Sequence, residues 1–299
     1  MATIFGIVPP MTTPFDGEET IDEGALRADV RHLIEKARVH GLAVGGSTGE
    51  GHTLSTDELR CAVGAAAEET RGRVPIIAGI IADSTRQVVE RARALSDLDV
   101  AALQVTPVHY LFKPDDENMI QYFATIAERT GVPVLIYNVV PWSYCAPDLL
   151  VRIIDGVDGV VGVKQSASDL VLLAELLLDV GDRGVIMSAV DALLYPSFCL
   201  GAHGAIAAIL TAVPDLCVRL WDAVQAGDHA VALDLHGKLL RIWNAISGDN
   251  LPANVKCAMA LQGRPSGMPR APMPPSSPAQ RAAIQSALVA AGVALSDEA

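Results

Sequence analysis

The stretch Val160-Val161-Gly162-Val163-Lys164-Gln165-Ser166 ends an otherwise apolar run in a lysine. The chain has five lysines, and Lys36, Lys113, Lys238 and Lys256 lie in polar or helical surroundings that predict solvated ammonium groups. Lys164 alone is carried by a segment that reads as a buried strand. Burial disfavours an ammonium relative to the neutral amine. A neutral amine can attack a carbonyl and form a Schiff base. The competing reading is a lysine that emerges at a strand end to make a salt bridge, because charges surface or pair. Its company decides between the two.

Gly45-Gly46-Ser47-Thr48-Gly49-Glu50-Gly51 offers two hydroxyls and several unhindered backbone N–H groups. Glycines allow conformations in which successive N–H groups face one anion, and a carboxylate fits such a nest. An ordinary Ser/Thr turn before a helix is the plainer alternative. Glu50 is expected to be structural, bonding the loop backbone, because a free carboxylate there would repel a bound one. Tyr137, in Tyr137-Asn138, carries a phenol that can pass a proton to or from a substrate held on a lysine; packing is its commoner fate. His109 and Tyr110 read as a loop or a subunit contact. Asp191 reads first as a cap on the helix that follows it, and second as a substrate contact.

These residues need a frame that brings them together. Apolar runs at 4–8, 42–46, 75–80, 101–106, 133–138, 160–165, 184–188 and 204–208 alternate with helical patterns near 22–39, 56–70, 84–95, 116–130, 147–154, 168–179 and 191–200. Runs apolar on both faces belong to parallel sheets covered on both sides. Eight such strands alternating with helices predict an α/β fold, a (β/α)8 TIM barrel, over 1–212. In such barrels the chemistry lies at the C-terminal strand ends, which is where Ser47, Thr48, His109, Tyr110, Tyr137, Lys164 and Asp191 fall. An open doubly wound sheet is the alternative, but the turn after the first strand reads Pro9-Pro10-Met11-Thr12-Thr13-Pro14, without a dinucleotide fingerprint. Helical patterns at 214–226, 229–247, 252–262 and 278–292 predict an appended C-terminal helical region over 213–299. The proline-rich segment 265–275 is expected to lie extended before the last helix.

Composition narrows the class. The chain is 51% apolar and 19% charged, which suits a folded core. A net charge of −13 argues against nucleic acid or an anionic membrane as partner. No apolar run is long enough to span a membrane, and no secretory signal is visible at the start. The five cysteines are scattered, with no Cys-x-x-Cys pair, which predicts reduced thiols in a cytoplasmic protein. The seven histidines are dispersed and form no metal-binding spacing.

Gly46-Ser47-Thr48-Gly49-Glu50, Tyr137-Asn138 and Gly162-Val163-Lys164-Gln165, in that order and spacing, resemble the motifs of the dihydrodipicolinate synthase / N-acetylneuraminate lyase family. Thr12-Thr13-Pro14-Phe15 and Gly201-Ala202-His203-Gly204-Ala205 add to the likeness, which spans nearly the whole chain. The resemblance implies a metal-independent class I mechanism on pyruvate or another 2-oxo acid, with no cofactor beyond a covalent imine on Lys164. It implies that Tyr137 relays protons and that Ser47 and Thr48 hold the carboxylate. Gly46, Asp191 and Ala205 complete the expected substrate-binding set. Tyr110 lies near the loop where relatives offer a tyrosine to a neighbouring subunit, and a homotetramer or dimer is implied.

The departures bear on the second substrate. Dihydrodipicolinate synthases carry an arginine shortly after the Tyr-Asn pair that binds the carboxylate of the aldehyde. Here Val139-Val140-Pro141-Trp142-Ser143-Tyr144 has none, and an anionic aldehyde would lack its bidentate partner. Sialic acid lyases follow the strand-7 aspartate with a glutamate, and here Ala192-Leu193-Leu194 follow. Val140, Trp142 and Ala192 predict a smaller or more apolar distal pocket. The expected activity is reversible aldol cleavage or condensation of a 2-oxo acid with an aldehyde, as in a 2-keto-3-deoxy acid aldolase. The alternatives are a 2-keto-3-deoxy sugar acid dehydratase, a 4-hydroxy-tetrahydrodipicolinate synthase and a non-catalytic 2-oxo-acid-binding paralogue.

Overall fold

A computed structural model describes residues 4–296. All eight expected strands are present: β1 (Gly6–Ile7), β2 (Leu42–Val44), β3 (Ile76–Ile80), β4 (Ala102–Val105), β5 (Val134–Asn138), β6 (Val160–Gln165), β7 (Val185–Ser188) and β8 (Gly204–Ala205). They form one parallel sheet in the order β1-β8-β7-β6-β5-β4-β3-β2. The remaining seam closes through Pro10 beside Ala43, with Met11 N donating to Ala43 O at 2.8 Å and Ala43 N to Pro9 O at 3.0 Å. The barrel helices are α1 (Glu23–Arg31), α2 (Thr56–Thr70), α3 (Thr85–Arg93), α4 (Asp116–Thr130), α5 (Pro147–Gly156), α6 (Leu170–Val180), α7 (Leu194–Cys199) and α8 (Ile209–Ala212). Two patterns differ from expectation. The 22–39 stretch ends in a π-helical turn, His32–Lys36, and α7 is preceded by a separate 3-10 turn, Asp191–Leu193.

Parallel strands buried on both faces explain the apolar runs. Ala43, Ile77, Ala102, Leu135, Met187 and Ile206 fill the barrel interior. Their neighbours Val44, Ala78, Leu103, Ile136, Ile186 and Ala205 belong to the larger layer under the helices. Strand β6 breaks simple alternation. Val134 pairs with Val160 but Leu135 pairs with Gly162, so Val161 is bulged out of the ladder. The bulge re-aims the strand and sets Lys164 opposite Tyr137 on β5 and Met187 on β7. Gly162 makes this possible. Its φ of +153° is open to glycine, and a Cβ there would meet Val185 O at 2.0 Å.

Beyond β8 come α9 (Pro214–Gln225), α10 (His229–Ile246), α11 (Leu251–Leu261) and α12 (Pro278–Ala290). Their apolar faces, through Leu220, Leu239, Ile242, Met259 and Ile284, join the same layer that covers the barrel. The proline-rich segment runs extended apart from a turn at 271–273, and Met268 bridges back to Phe15.

Candidate active site

Lys164 is 4% exposed and Tyr137 1% exposed. The register of β5 and β6 makes them direct neighbours, and Lys164 Nζ lies 4.0 Å from the centre of the Tyr137 ring. The Tyr137 hydroxyl donates to Ser47 Oγ at 2.9 Å and accepts a longer contact from Ser47 N at 3.4 Å. Burial by itself raises the phenol's pKa, but the Lys164 ammonium and the contacts with Ser47 outweigh it and leave it lowered. An amine on β6, a phenol on β5 and a hydroxyl on the turn after β2 thus form one continuous line. This is the arrangement a carbonyl-attacking amine with a proton relay requires.

The strand ends are fixed by their own bonds. Asn138 Nδ2 donates to Gln165 Oε1 and to Cys145 O, each at 3.1 Å, and Asn138 Oδ1 accepts from Cys145 N at 2.9 Å. This ties β5 to β6 and pins the loop that follows Tyr137. Replacing Tyr137 by phenylalanine removes the hydroxyl and keeps the ring over Lys164. Should Tyr137 relay protons to a bound 2-oxo acid, as the resemblance implies, exchange of the methyl protons of pyruvate with solvent, followed by NMR, is expected to slow by roughly 10²–10⁴-fold, the span of a lost general acid–base group.

The Ser47–Gly49 segment is a 3-10 turn. Gly49 N and Gly51 N donate to Gly46 O, and Glu50 N donates to Ser47 O, each at 3.0 Å. The amides of Ser47 and Thr48 are therefore the donors not taken up inside the turn. Gly51 is obligatory, since a Cβ there would lie 1.8 Å from Gly45 O. Glu50 takes a left-handed φ of 54° and is fully buried.

Glu50 is structural, as expected, but its partners are not the loop. Its Oε1 accepts from Lys256 Nζ at 2.6 Å and its Oε2 from Arg270 N at 2.9 Å. This corrects the expectation for Lys256, which is 2% exposed on α11 rather than solvated. Burial pulls the Lys256 pKa down, against the pull of Glu50. Lys256 Nζ also donates to Met268 O at 2.7 Å, so one ammonium ties the turn that carries Ser47 and Thr48 to the extended segment. Lys256 and Arg270 are the site-supporting residues that sequence reasoning missed. A single charge inside the apolar helix 251–261 was the available signal.

The rim departs further from expectation. Asp191 Oδ1 accepts from Ile209 N at 2.7 Å, so it caps the start of α8 and not of α7. Burial pushes its carboxyl up to about 6, against the Ile209 hydrogen bond. Ala205 is fully buried with its side chain in the outer layer, and Ile206, the residue just after β8, faces the interior. Gly46 is beside the Tyr137 hydroxyl, 3.9 Å from where its side chain would begin. Tyr110 is 73% exposed and held only by its backbone N–H, which donates to Asp83 Oδ1 at 2.8 Å. His109 is the more buried of the two, its Nδ1 3.2 Å from Asp83 Oδ1 and 3.1 Å from Pro107 O. Trp142 lies on the surface with Nε1 donating to His109 O at 3.0 Å, while Val140 and Ala192 are half-buried.

Residues 3–291 match the model of the dihydrodipicolinate synthetase family. A 4-hydroxy-tetrahydrodipicolinate synthase from Methanopyrus kandleri is 34% identical over 273 residues, 90% of each chain. A prophage protein of the dihydrodipicolinic acid synthase family from E. coli K12, solved in complex with pyruvate, superposes with a TM-score of 0.93 at 26% identity, covering 98% of this chain and 100% of that one. A Clostridium difficile protein, CdNal, solved in complex with mannosamine, gives a TM-score of 0.89 at 26% identity, with 97% and 99% covered.

Proposed function

Because the chain belongs to the dihydrodipicolinate synthetase family, we propose that it is a class I lyase in which Lys164 forms an imine with pyruvate or a related 2-oxo acid. The observation that carries this reading is the line from buried Lys164 and Tyr137 to half-buried Ser47, with Nζ 4.0 Å over the phenol ring and the hydroxyl 2.9 Å from Ser47 Oγ. The Lys164 amine attacks the keto carbon and water leaves. The resulting iminium accepts electrons from C3 as the C3–C4 bond breaks, or returns them as it forms. Tyr137 moves the proton. Ser47 and Thr48 hold the carboxylate with their hydroxyls and the Thr48 amide, and Gly46 keeps the space between them and Tyr137 clear.

The reaction is reversible aldol cleavage or condensation, with an aldehyde that carries no carboxylate beside Tyr137. No arginine lies in residues 139–144 to receive one. The relative from Methanopyrus kandleri favours 4-hydroxy-tetrahydrodipicolinate synthesis as a second reading, and assay with aspartate semialdehyde separates the two. Among the described residues no helix is long and apolar enough to cross a membrane; the cytoplasmic placement rests on the scattered cysteines. Tyr110, Leu111, Phe112 and Trp142 leave an exposed apolar rim around the mouth, which supports a homo-oligomer built over it.

Reduction with borohydride in the presence of pyruvate tests the reading. A stable adduct with the mass of reduced pyruvate is expected on the peptide carrying Lys164. Absence of the adduct, with the enzyme folded, overturns it.

A further inference from the structure

Gln104 has no part in the relay described so far. It lies on β4, fully buried, opposite Gly79 on β3 and Leu135 on β5. Leu135 is in the barrel interior, so Gln104 faces inward on the side of Tyr137. Among the described residues neither its Oε1 nor its Nε2 has a hydrogen-bond partner. A buried amide without partners is destabilising, and an apolar side chain of the same shape would fill the space without that cost.

The position of the amide suggests what it is kept for. Its Nε2 lies 3.5 Å from the point where a side chain on Gly46 would begin, and the Tyr137 hydroxyl lies 3.9 Å from the same point. The missing side chain of Gly46 leaves the two polar groups flanking one small space. Resting Tyr137 donates to Ser47 Oγ. Once its proton passes to substrate, the O–H electron pair stays on the oxygen, which becomes a charged acceptor. Ser47 N, at 3.4 Å, is then its one backbone donor. The charged group facing the phenol is Lys164 on β6; β4 presents Gln104 and the β2 loop presents Ser47, both neutral.

We propose that Gln104 is a positioning residue of the proton relay, turning its Nε2–H across the Gly46 gap to the Tyr137 oxygen as that oxygen loses its proton. Because neither end of the amide is engaged, it turns without breaking a hydrogen bond. Gln104 keeps its own protons throughout. This rests on the lyase reading for its substrate, but the hydrogen bond itself exists in the free enzyme whenever Tyr137 ionises.

The test uses the full chain with Gln104→Met, close in shape and unable to hydrogen-bond. Three properties are compared with wild type: borohydride trapping of pyruvate, exchange of the pyruvate methyl protons, and the pH midpoint of Tyr137 ionisation by ultraviolet absorbance, assigned by subtracting Y137F. Q104M is expected to trap pyruvate normally and to melt no lower than wild type. It is expected to exchange at least about tenfold more slowly, the loss of one hydrogen bond to a charged oxygen, with Tyr137 ionising at higher pH. Wild-type exchange together with wild-type ionisation makes Gln104 a space filler and overturns the proposal. If Q104M does not fold, Q104E gives the same decision: an acceptor beside the phenolate raises the Tyr137 midpoint, and an unmoved midpoint overturns the proposal. If wild type itself traps no pyruvate, the lyase reading fails, while the Tyr137 midpoints still decide the role of Gln104.

Discussion

Replacing Lys164 by methionine is expected to abolish borohydride trapping of pyruvate and to lower turnover by roughly 10³-fold or more, since deletion of a covalent nucleophile costs up to about 10⁶ in a well-studied case. The variant should stay folded. Lys164 is buried between Tyr137 on β5 and Met187 on β7, and an apolar side chain of similar length fits such a site at little or no cost. Lys164→Arg separates charge from nucleophilicity, because a guanidinium remains protonated and forms no imine. It should keep the charge above the Tyr137 ring and remain as inactive as K164M. The result that would sink the assignment is a trapped adduct in K164M. Lys256 would be the residue to examine, as the other lysine buried in the molecule. Its nitrogen, however, is already committed to Glu50 and Met268 O.

The barrel and its central lysine were legible in the sequence for one reason. A parallel sheet covered on both faces writes uninterrupted apolar runs, and a charge at the end of such a run stands out. Lys164, Tyr137 and Ser47 lie at three strand ends, and strand order alone brings them to one mouth. What escaped was information that local pattern does not hold. The bulge at Val161 is set by how β6 meets β5, and Gly162 was its only written trace. Ala205 sits one residue from the inward-facing Ile206, and in a strand of two residues, β8, alternation has too short a run to reveal the face. Asp191 caps α8 across the site instead of its own helix because the barrel brings residue 209 beside residue 191. The reading of Lys256 failed for a related reason. Its partner is 206 residues away, and an amphipathic helix packed on a barrel gives no sign of which loop it covers.

That pair carries the largest expected stability effect. The side chains of Lys256 and Glu50 are 3% and 0% exposed, with the Phe15 ring 4.8 Å from the ammonium. Lys256→Met leaves the Glu50 carboxylate buried with Arg270 N as its remaining hydrogen-bond donor. Breaking a buried ion pair from one side costs about 3–5 kcal/mol, because the orphaned charge has neither water nor counterion. Denaturant unfolding of K256M should show a loss of that size, with an unchanged slope. Glu50→Gln in the same background should recover much of the stability, because a neutral amide removes the buried charge. Activity gives an independent reading. Glu50 anchors the turn that holds Ser47 and Thr48, so losing its partner loosens the proposed carboxylate site before it disturbs Lys164 or Tyr137 on β6 and β5. K256M, assayed below its melting range, should therefore raise KM for pyruvate more than it lowers kcat. Equal stability in K256M and wild type would mean that the carboxylate is held by Arg270 alone, and that the appended helices cover the site without fixing it.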